Sequence, residues 1–385
     1  MNKKKPNRLP ILLLLLGFGP MIWGAWTTRR ITNDSGYSED PAVAVNGATV
    51  YVVWHDQTPG NAEIYFRKSI DNGDTWQAAK RLTYNSTDSQ RPRIAVLGEY
   101  VYVVWEDGPS GNEDIYFRRS IDGGNTWQGA KQLTNNGSIS GYPDIAASGA
   151  NVYVVWHDYV THTFEIYLLK STDNGSTWQS AKQLTFAPDD CMFPAIAADS
   201  ANVYVVWGQG SPSDIYFRKS INGGGSWQNV KRLSNNEDTS DFPRIALNGQ
   251  NIYLVWHDYS ATGFAEIYFK RSTDGGAKWK PTMRLSFSVD EWGLNYPAWY
   301  PDIAVRGAKV YVTWTSMLAS PGNRDDIYFR KSVDSGATWR PVAQLTDNAG
   351  YSYNPAIAVN DTNVYVIWDD DTPLNAEIYV KFSPK

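Results

Sequence analysis

A short apolar run ending in tryptophan recurs seven times along the chain. It reads VYVVWHD around Trp54, VYVVWED at Trp105, VYVVWHD at Trp156, VYVVWGQ at Trp207, IYLVWHD at Trp256, VYVTWTS at Trp314 and VYVIWDD at Trp368. The first three intervals are 51 residues each, a period that belongs to propeller blades or solenoid coils. Ahead of each run stands a Pro-x-Ile/Val-Ala segment, such as Pro92-Arg93-Ile94-Ala95, joined to it by a short turn rich in Gly, Asn and Asp. After it comes a polar loop, then a strand of the type Glu63-Ile64-Tyr65-Phe66-Arg67-Lys68-Ser69. A tight turn then leads to a last segment such as Trp76 to Thr83. β-Branched and aromatic runs punctuated by turn residues predict four antiparallel strands per unit, here lettered A to D.

The turn between C and D carries the pattern Ser-x-Asp-x-Gly-x-Thr-Trp. Ser69, Asp71, Gly73, Thr75 and Trp76 form the first copy, and copies centred on Asp122, Asp173 and Asp334 match it in full. Asn222 replaces the aspartate in the fourth copy, and Lys278 replaces the threonine in the fifth, whose aspartate is Asp274. These residues suit a structural turn: the carboxylate accepts backbone N–H groups two residues on, glycine supplies a positive φ, and the tryptophan packs the turn onto the sheet. The motif resembles the Asp box, or BNR repeat, of sialidase-like propellers. In that family the box marks the fold and lies away from the active face.

Seven VYVVW-type strands accompany six complete boxes. The chain stops in a C-type strand, Tyr379 to Ser383, while Trp26-Thr27-Thr28-Arg29-Arg30-Ile31-Thr32 matches a D segment. The expectation is therefore all-β: a seven-bladed propeller of four-stranded antiparallel blades, closed by an N-terminal strand that joins the C-terminal blade. Closure removes the open sheet edges of a linear array. Residues 26–385 form one domain in this reading. Residues 1–25 resemble a signal peptide, with a basic start (Lys3 to Arg8), an apolar stretch (Ile11 to Phe18) and small residues at Gly24 and Ala25. Left uncleaved, residues 9–26 are long enough for a membrane anchor. A secreted or extracellular location follows.

Composition narrows the function. Net charge is −5, and the leader carries four basic residues and no acid, so the exported chain is more acidic still. With no basic stripe, no nucleic-acid partner is expected. The one cysteine, Cys191, rules out an intrachain disulfide. The sequence contains no HExxH, zinc-finger spacing, P-loop or dinucleotide turn, so neither a metal nor a cofactor is expected.

Strand order puts the A–B turns and Asp boxes on one face, and the more variable D–A and B–C loops on the other. The carboxylates that start every C strand (Glu63, Asp114, Glu165, Asp214, Glu266, Asp326, Glu377) and the arginines at Arg67, Arg118, Arg218 and Arg330 read as architecture because they repeat. Residues that break the repeat are the binding candidates. At the x of Pro-x-Ile/Val-Ala stand Arg93, Asp144, Arg244 and Asp302, with alanine in the other three blades (Ala42, Ala195, Ala356), and these positions are expected to ring the channel mouth. The longest D–A loop, Ser286 to Pro301, offers Glu291, Trp292, Tyr296, Trp299 and Tyr300, with Arg324 in the next long loop. Exposed aromatics of this kind mark binding surfaces. His55, His157 and His257 each precede an aspartate on separate blades and are weaker candidates, for small ligands between blades or plain loop hydrogen bonding.

The sialidase resemblance implies an arginine triad, a Tyr–Glu pair and an acidic proton donor on a ring of usually six blades, with a Phe-Arg-Ile-Pro-like segment near the N-terminus. This chain departs from it: its nearest string is Phe242-Pro243-Arg244-Ile245, mid-chain, and only Arg93 and Arg244 offer themselves to a triad. A glycan-binding module facing glycans or cell-surface polysaccharide is the leading expectation. An exo-glycosidase of sialidase type, or a related polysaccharide-degrading enzyme, is the alternative, and a scaffold for protein partners the third.

Overall fold

The computed structural model describes residues 26–108, 112–160, 162–259, 263–286, 296–317, 324–372 and 375–384. They form seven four-stranded antiparallel sheets. In blade 1, strand A is Ser38–Asn46, B is Thr49–Asp56, C is Glu63–Ser69 and D is Lys80–Arg81. The A strands of blades 2 to 7 are Ser89–Leu97, Ser140–Ser148, Cys191–Asp199, Ser240–Asn248, Ala298–Arg306 and Ser352–Val359. Each A strand touches the next, and the A strand of blade 7 touches that of blade 1, so the sheets close into a ring. Strand D is shorter than the sequence pattern suggests. Regular pairing covers two residues, although Gln77 N–H to Lys68 O (2.9 Å) and Leu82 N–H to Ile64 O bracket it.

Closure follows the expected register. The strand Thr27–Arg30 pairs antiparallel with Glu377–Pro384, Thr27 opposite Phe382 and Arg30 opposite Tyr379. Ile31 is 2% exposed in the shared core, and Arg30 donates to the buried Glu377 carboxylate at 2.7 Å. Arg67 of blade 1 reaches across the seam to the Ile31 carbonyl. Arg118, Arg218 and Arg330 do the same to Leu82, Leu184 and Leu285 of the preceding blades. The repeated arginines are therefore interblade staples, and the closing strand is held like any other D strand.

The box works differently in one respect from the sequence expectation. Asp71 accepts from the N–H of Thr75, four residues on, at 2.9 Å, and from its hydroxyl at 2.5 Å, while Ser69 Oγ accepts Gly73 N–H at 2.8 Å. The turn is one residue pair wider than an Asx turn because Gly73 (φ 92°) and Asn72 (φ 60°) both lie in the left-handed region. Asp122, Asp173 and Asp334 repeat both bonds, Asp274 keeps the backbone bond to Lys278 N–H, and Asn222 keeps the backbone contact to Ser226 N–H at 2.8 Å. The box tryptophan packs on the previous blade rather than its own: Trp127 meets Phe66 edge-on at 5.0 Å, and Trp178 meets Phe117 likewise. Trp26 meets Phe329 of blade 6 at 5.4 Å, taking the place of the tryptophan of the missing seventh box.

The carboxylates that open the C strands are structural as read. Glu63 takes Arg81 at 2.7 Å, Asp114 takes Thr134 Oγ1 at 2.7 Å, and Asp214 takes Ser234 Oγ at 2.7 Å. A second buried set ties A to B. Ser38 Oγ and Trp54 Nε1 both donate to Asp56, and the trio recurs in blades 2, 3, 5 and 7. Blades 4 and 6 lose the aspartate (Gln209, Ser316) and the serine together (Cys191, Ala298). That follows from chemistry, since a buried hydroxyl without its acceptor is costly.

Candidate functional site

Every A strand begins with a β-bulge. The register slips between Glu39 and Ala42 in blade 1, and at the same point in the other six blades. The residue just before each proline is left at a positive φ near 50°: Asp40, Arg91, Tyr142, Phe193, Phe242, Tyr300 and Asn354. Such a conformation costs a residue with a β-carbon roughly 1–3 kcal/mol, and strained positions cluster at functional sites. Bulges re-aim side chains. Six of these seven residues line a cavity of about 420 Å³ at the channel mouth, and the seventh, Phe193, lies against its wall.

One arc of this rim is aromatic. Tyr142 meets Phe193 at 4.8 Å, Phe193 stacks on Phe242 at 4.0 Å, and Phe242 meets Tyr300 edge-on at 5.4 Å. The other arc is polar: Asn354, Asp40 and Arg91. Arg91 lies 4.6 Å over the Tyr142 ring and donates to Glu106 at 2.6 Å. Burial works against the Arg91 charge, but Glu106 and Tyr142 more than offset it and hold its pKa above the usual value.

One step down, the x positions line the same cavity, as the sequence suggested: Arg93, Asp144, Arg244 and Asp302, with Ala42, Ala195 and Ala356 between. Asp144 accepts the N–H of Ile196 in the next blade at 2.8 Å, and Asp302 accepts that of Ile357 at 2.8 Å. Burial raises both carboxyl pKa values, opposed by Arg244. Burial lowers that of Arg244, and Arg93 adds to the effect. The aspartates thus spend acceptors on the scaffold. Arg93 and Arg244 each donate one guanidinium bond to the carbonyl of their own preceding proline, which leaves most of their five N–H donors facing the lumen.

The histidines sit beneath the rim. His55, His157 and His257 are 4–5% exposed. His157 Nδ1 accepts the N–H of Phe193 at 3.4 Å, as Glu106 accepts that of Tyr142 and Asp369 that of Asp40. His55 contacts Glu39 at 3.3 Å and Asp40 at 3.6 Å, and His257 packs on Phe242 at 5.2 Å. Burial depresses His157 to about 3 and His257 to about 4. His157 and His257 are thus held neutral, and His157 supports the bulge of blade 4 through the Phe193 N–H. No group of three metal-ligating residues stands together among the described residues.

The loop candidates divide. Tyr300 joins the rim. Tyr296 and Trp299 are half-buried away from the cavity, and Arg324 turns to the Asn348 carbonyl at 3.5 Å. Glu291 and Trp292, like the leader 1–25, lie outside the described residues. The rim residues Asp40, Arg91, Tyr142, Phe193, Phe242 and Asn354 were missed by sequence reading. The signal was there: the position before the repeated proline reads Asp, Arg, Tyr, Phe, Phe, Tyr, Asn, which is as variable as the x position after it.

The fold and its boxes define an Asp-box β-propeller of the sialidase-like kind. A model of the BNR repeat-like domain matches residues 100–366, and the chain belongs to that family. No curated protein sequence matches it. Among solved structures, an ulvan lyase of polysaccharide lyase family PL25 is similar at TM-score 0.60 and 13% identity, over 91% of this chain and 95% of that one. The endosialidase of phage phi92 is similar at 0.55 and 13%, over 94% and 69%. A Hadza microbial sialidase is similar at 0.54 and 13%, over 88% and 74%. At these identities the likeness is one of fold.

Proposed function

We propose that the chain is a glycan-binding propeller that holds an acidic sugar at its channel mouth, exported by its leader to meet glycans or cell-surface polysaccharide. The observation that carries this reading is the divided rim: four contiguous aromatics on one side, polar groups on the other, and the open donors of Arg93 and Arg244 below. An aromatic face takes the apolar face of a sugar ring. Arginine forks suit a carboxylate or sulfate. The volume falls in the range of small-ligand sites. That structural neighbours are enzymes of sialic acid and ulvan agrees with a carbohydrate ligand. A glycan array followed by calorimetry tests it. Arg244→Ala and Phe242→Ala should each weaken binding about 30-fold or more, the loss typical of a central anchor. Wild-type affinity retained by both would overturn the proposal.

The second reading, a sialidase-type hydrolase, is favoured by one observation: Arg91 joins Arg93 and Arg244 in the same cavity, beside Tyr142 and Glu106. Against it, Glu106 is already committed to Arg91 and to the Tyr142 backbone N–H, and so is not free to serve the phenol. Turnover of a fluorogenic sialoside, lost in Arg91→Ala, would establish the enzyme over the binding module.

A further inference from the structure

The wall around the mouth is uneven. In blade 1 six residues, 57–62, link strands B and C, whereas in blade 4 only Ser211 and Pro212 do so. Blade 4 departs from the pattern at its base as well. Where other blades place His, Glu, Thr or Asp after the B-strand tryptophan, it has Gly208. A β-carbon there would lie 2.5 Å from Asp241 Oδ1, so the glycine makes room for that carboxylate.

A second cavity, of about 440 Å³, fills the resulting notch on the face of the D–A and B–C loops. Its walls include His162, Asp189, Met192, Ser213, Thr239 and Asp241. Met192 and Asp241 directly precede Phe193 and Phe242, so the stacked Phe193–Phe242 pair is the sill between the notch and the mouth. Asp241 Oδ1 is buried without a hydrogen-bond partner. Burial lifts its carboxyl to about 6, with the Ser213 hydrogen bond opposing. Asp189 is exposed.

We propose that the notch over blade 4 is a second subsite, through which the glycan held at the mouth runs out across Phe193 and Phe242, and that it takes neutral sugar units. This rests on the glycan reading of the mouth. The chemistry of the two compartments differs. The mouth offers guanidinium donors among its aspartates, and these suit an acidic unit. The notch offers carboxylate acceptors, which take hydroxyl donors and repel a second acid. The ligand class is therefore an oligosaccharide with one acidic terminal unit followed by neutral units.

Two variants separate the compartments. One replaces Ser211-Pro212 with the blade 1 loop, residues 57–62, to fill the notch. The other, Asp241→Asn, keeps the shape and removes the charge. The probes are glucuronic acid, xylo-oligosaccharides of two to five units capped by one glucuronic acid, and oligogalacturonates of the same lengths, measured by calorimetry. For the wild type, affinity should rise about tenfold from glucuronic acid to the capped trimer, and less along the all-acidic series. The filled variant should hold glucuronic acid as the wild type does and lose the gain with length. Asp241→Asn should narrow the gap between the two series. A length gain that survives filling, or no gain in the wild type, overturns the second subsite while leaving the mouth intact. Failure of every probe to bind overturns both.

Discussion

Ile31 offers a direct measure of how much the closing strand contributes. It occupies the place of Leu82, Leu184 and Leu285 in blades whose D strand is joined covalently to its C strand, and each donates its N–H to a C-strand carbonyl. Ile31 is 2% exposed and Leu184 is fully buried. Truncating such a side chain to alanine costs about 2–5 kcal/mol. With an unfolding entropy of about 2.1 cal/mol/K per residue, residues 26–385 unfold with roughly 0.75 kcal/mol/K in total, so the melting midpoint should fall by about 3–7 °C. Leu184→Ala supplies the internal control, as the same cut in a blade with no seam. Differential scanning calorimetry of both variants at one scan rate is the assay. Equal depressions mean that the seam is as firm as the covalent blades. A normal midpoint in Ile31→Ala beside a depressed one in Leu184→Ala would mean that the ring opens at the seam before the core melts, and the closure account would fall. Deleting residues 26–32 removes the whole strand and should lower the midpoint well beyond either point variant.

Other outcomes follow from the same structure. Asp71 is held at about 2 by Ser69 and Thr75, below its unfolded value, so its contribution is present above about pH 4 and is lost as pH falls toward 2. Asp71→Asn, which imitates the natural Asn222, should flatten the acid limb of the melting curve, as followed by circular dichroism. His157 and His257 titrate lower in the folded state than unfolded, so their neutral, buried form stabilises fully above about pH 6.5. That stability is lost as pH falls from there toward 3–4, at a limiting slope of about 1.4 kcal/mol per pH unit for each. Proton chemical shifts of both rings should stay constant from pH 8 to 5. Asn354→Gly relieves one positive-φ residue but removes the side chain that hydrogen-bonds the buried Asp369, so it should lower stability by about 1 kcal/mol in urea titrations.

Much of this architecture could be read in advance because repetition acts as its own control. VYVVW strands, boxes and a split seventh blade are local signals repeated until chance is excluded, and the Trp26-to-Thr32 match placed the seam without any structure. The mouth was harder. Sequence reading singled out Arg93, Asp144, Arg244 and Asp302 because they interrupt the repeat inside the Pro-x-Ile/Val-Ala segment. Arg91, Tyr142, Phe193 and Phe242 stand one place ahead of the proline, outside that segment, and went unseen, although residues two apart in a strand share a face. The notch needed one further kind of information. A missing loop and a glycine at position 208 carry no chemistry of their own, and they matter only because Asp241, from the neighbouring blade, comes to occupy the space.

The seam between Ser383 and Trp26 lacks only the hexapeptide that links Ser69 to Trp76. Supplying it would turn the polypeptide into an endless loop, and cutting any other box would then create new termini at an equivalent address. Six circular permutants are thus available beside the native order. They share a single mouth and differ only in where the ribosome starts and stops, so the chain ends can be moved from blade to blade without touching the face of the D–A and B–C loops.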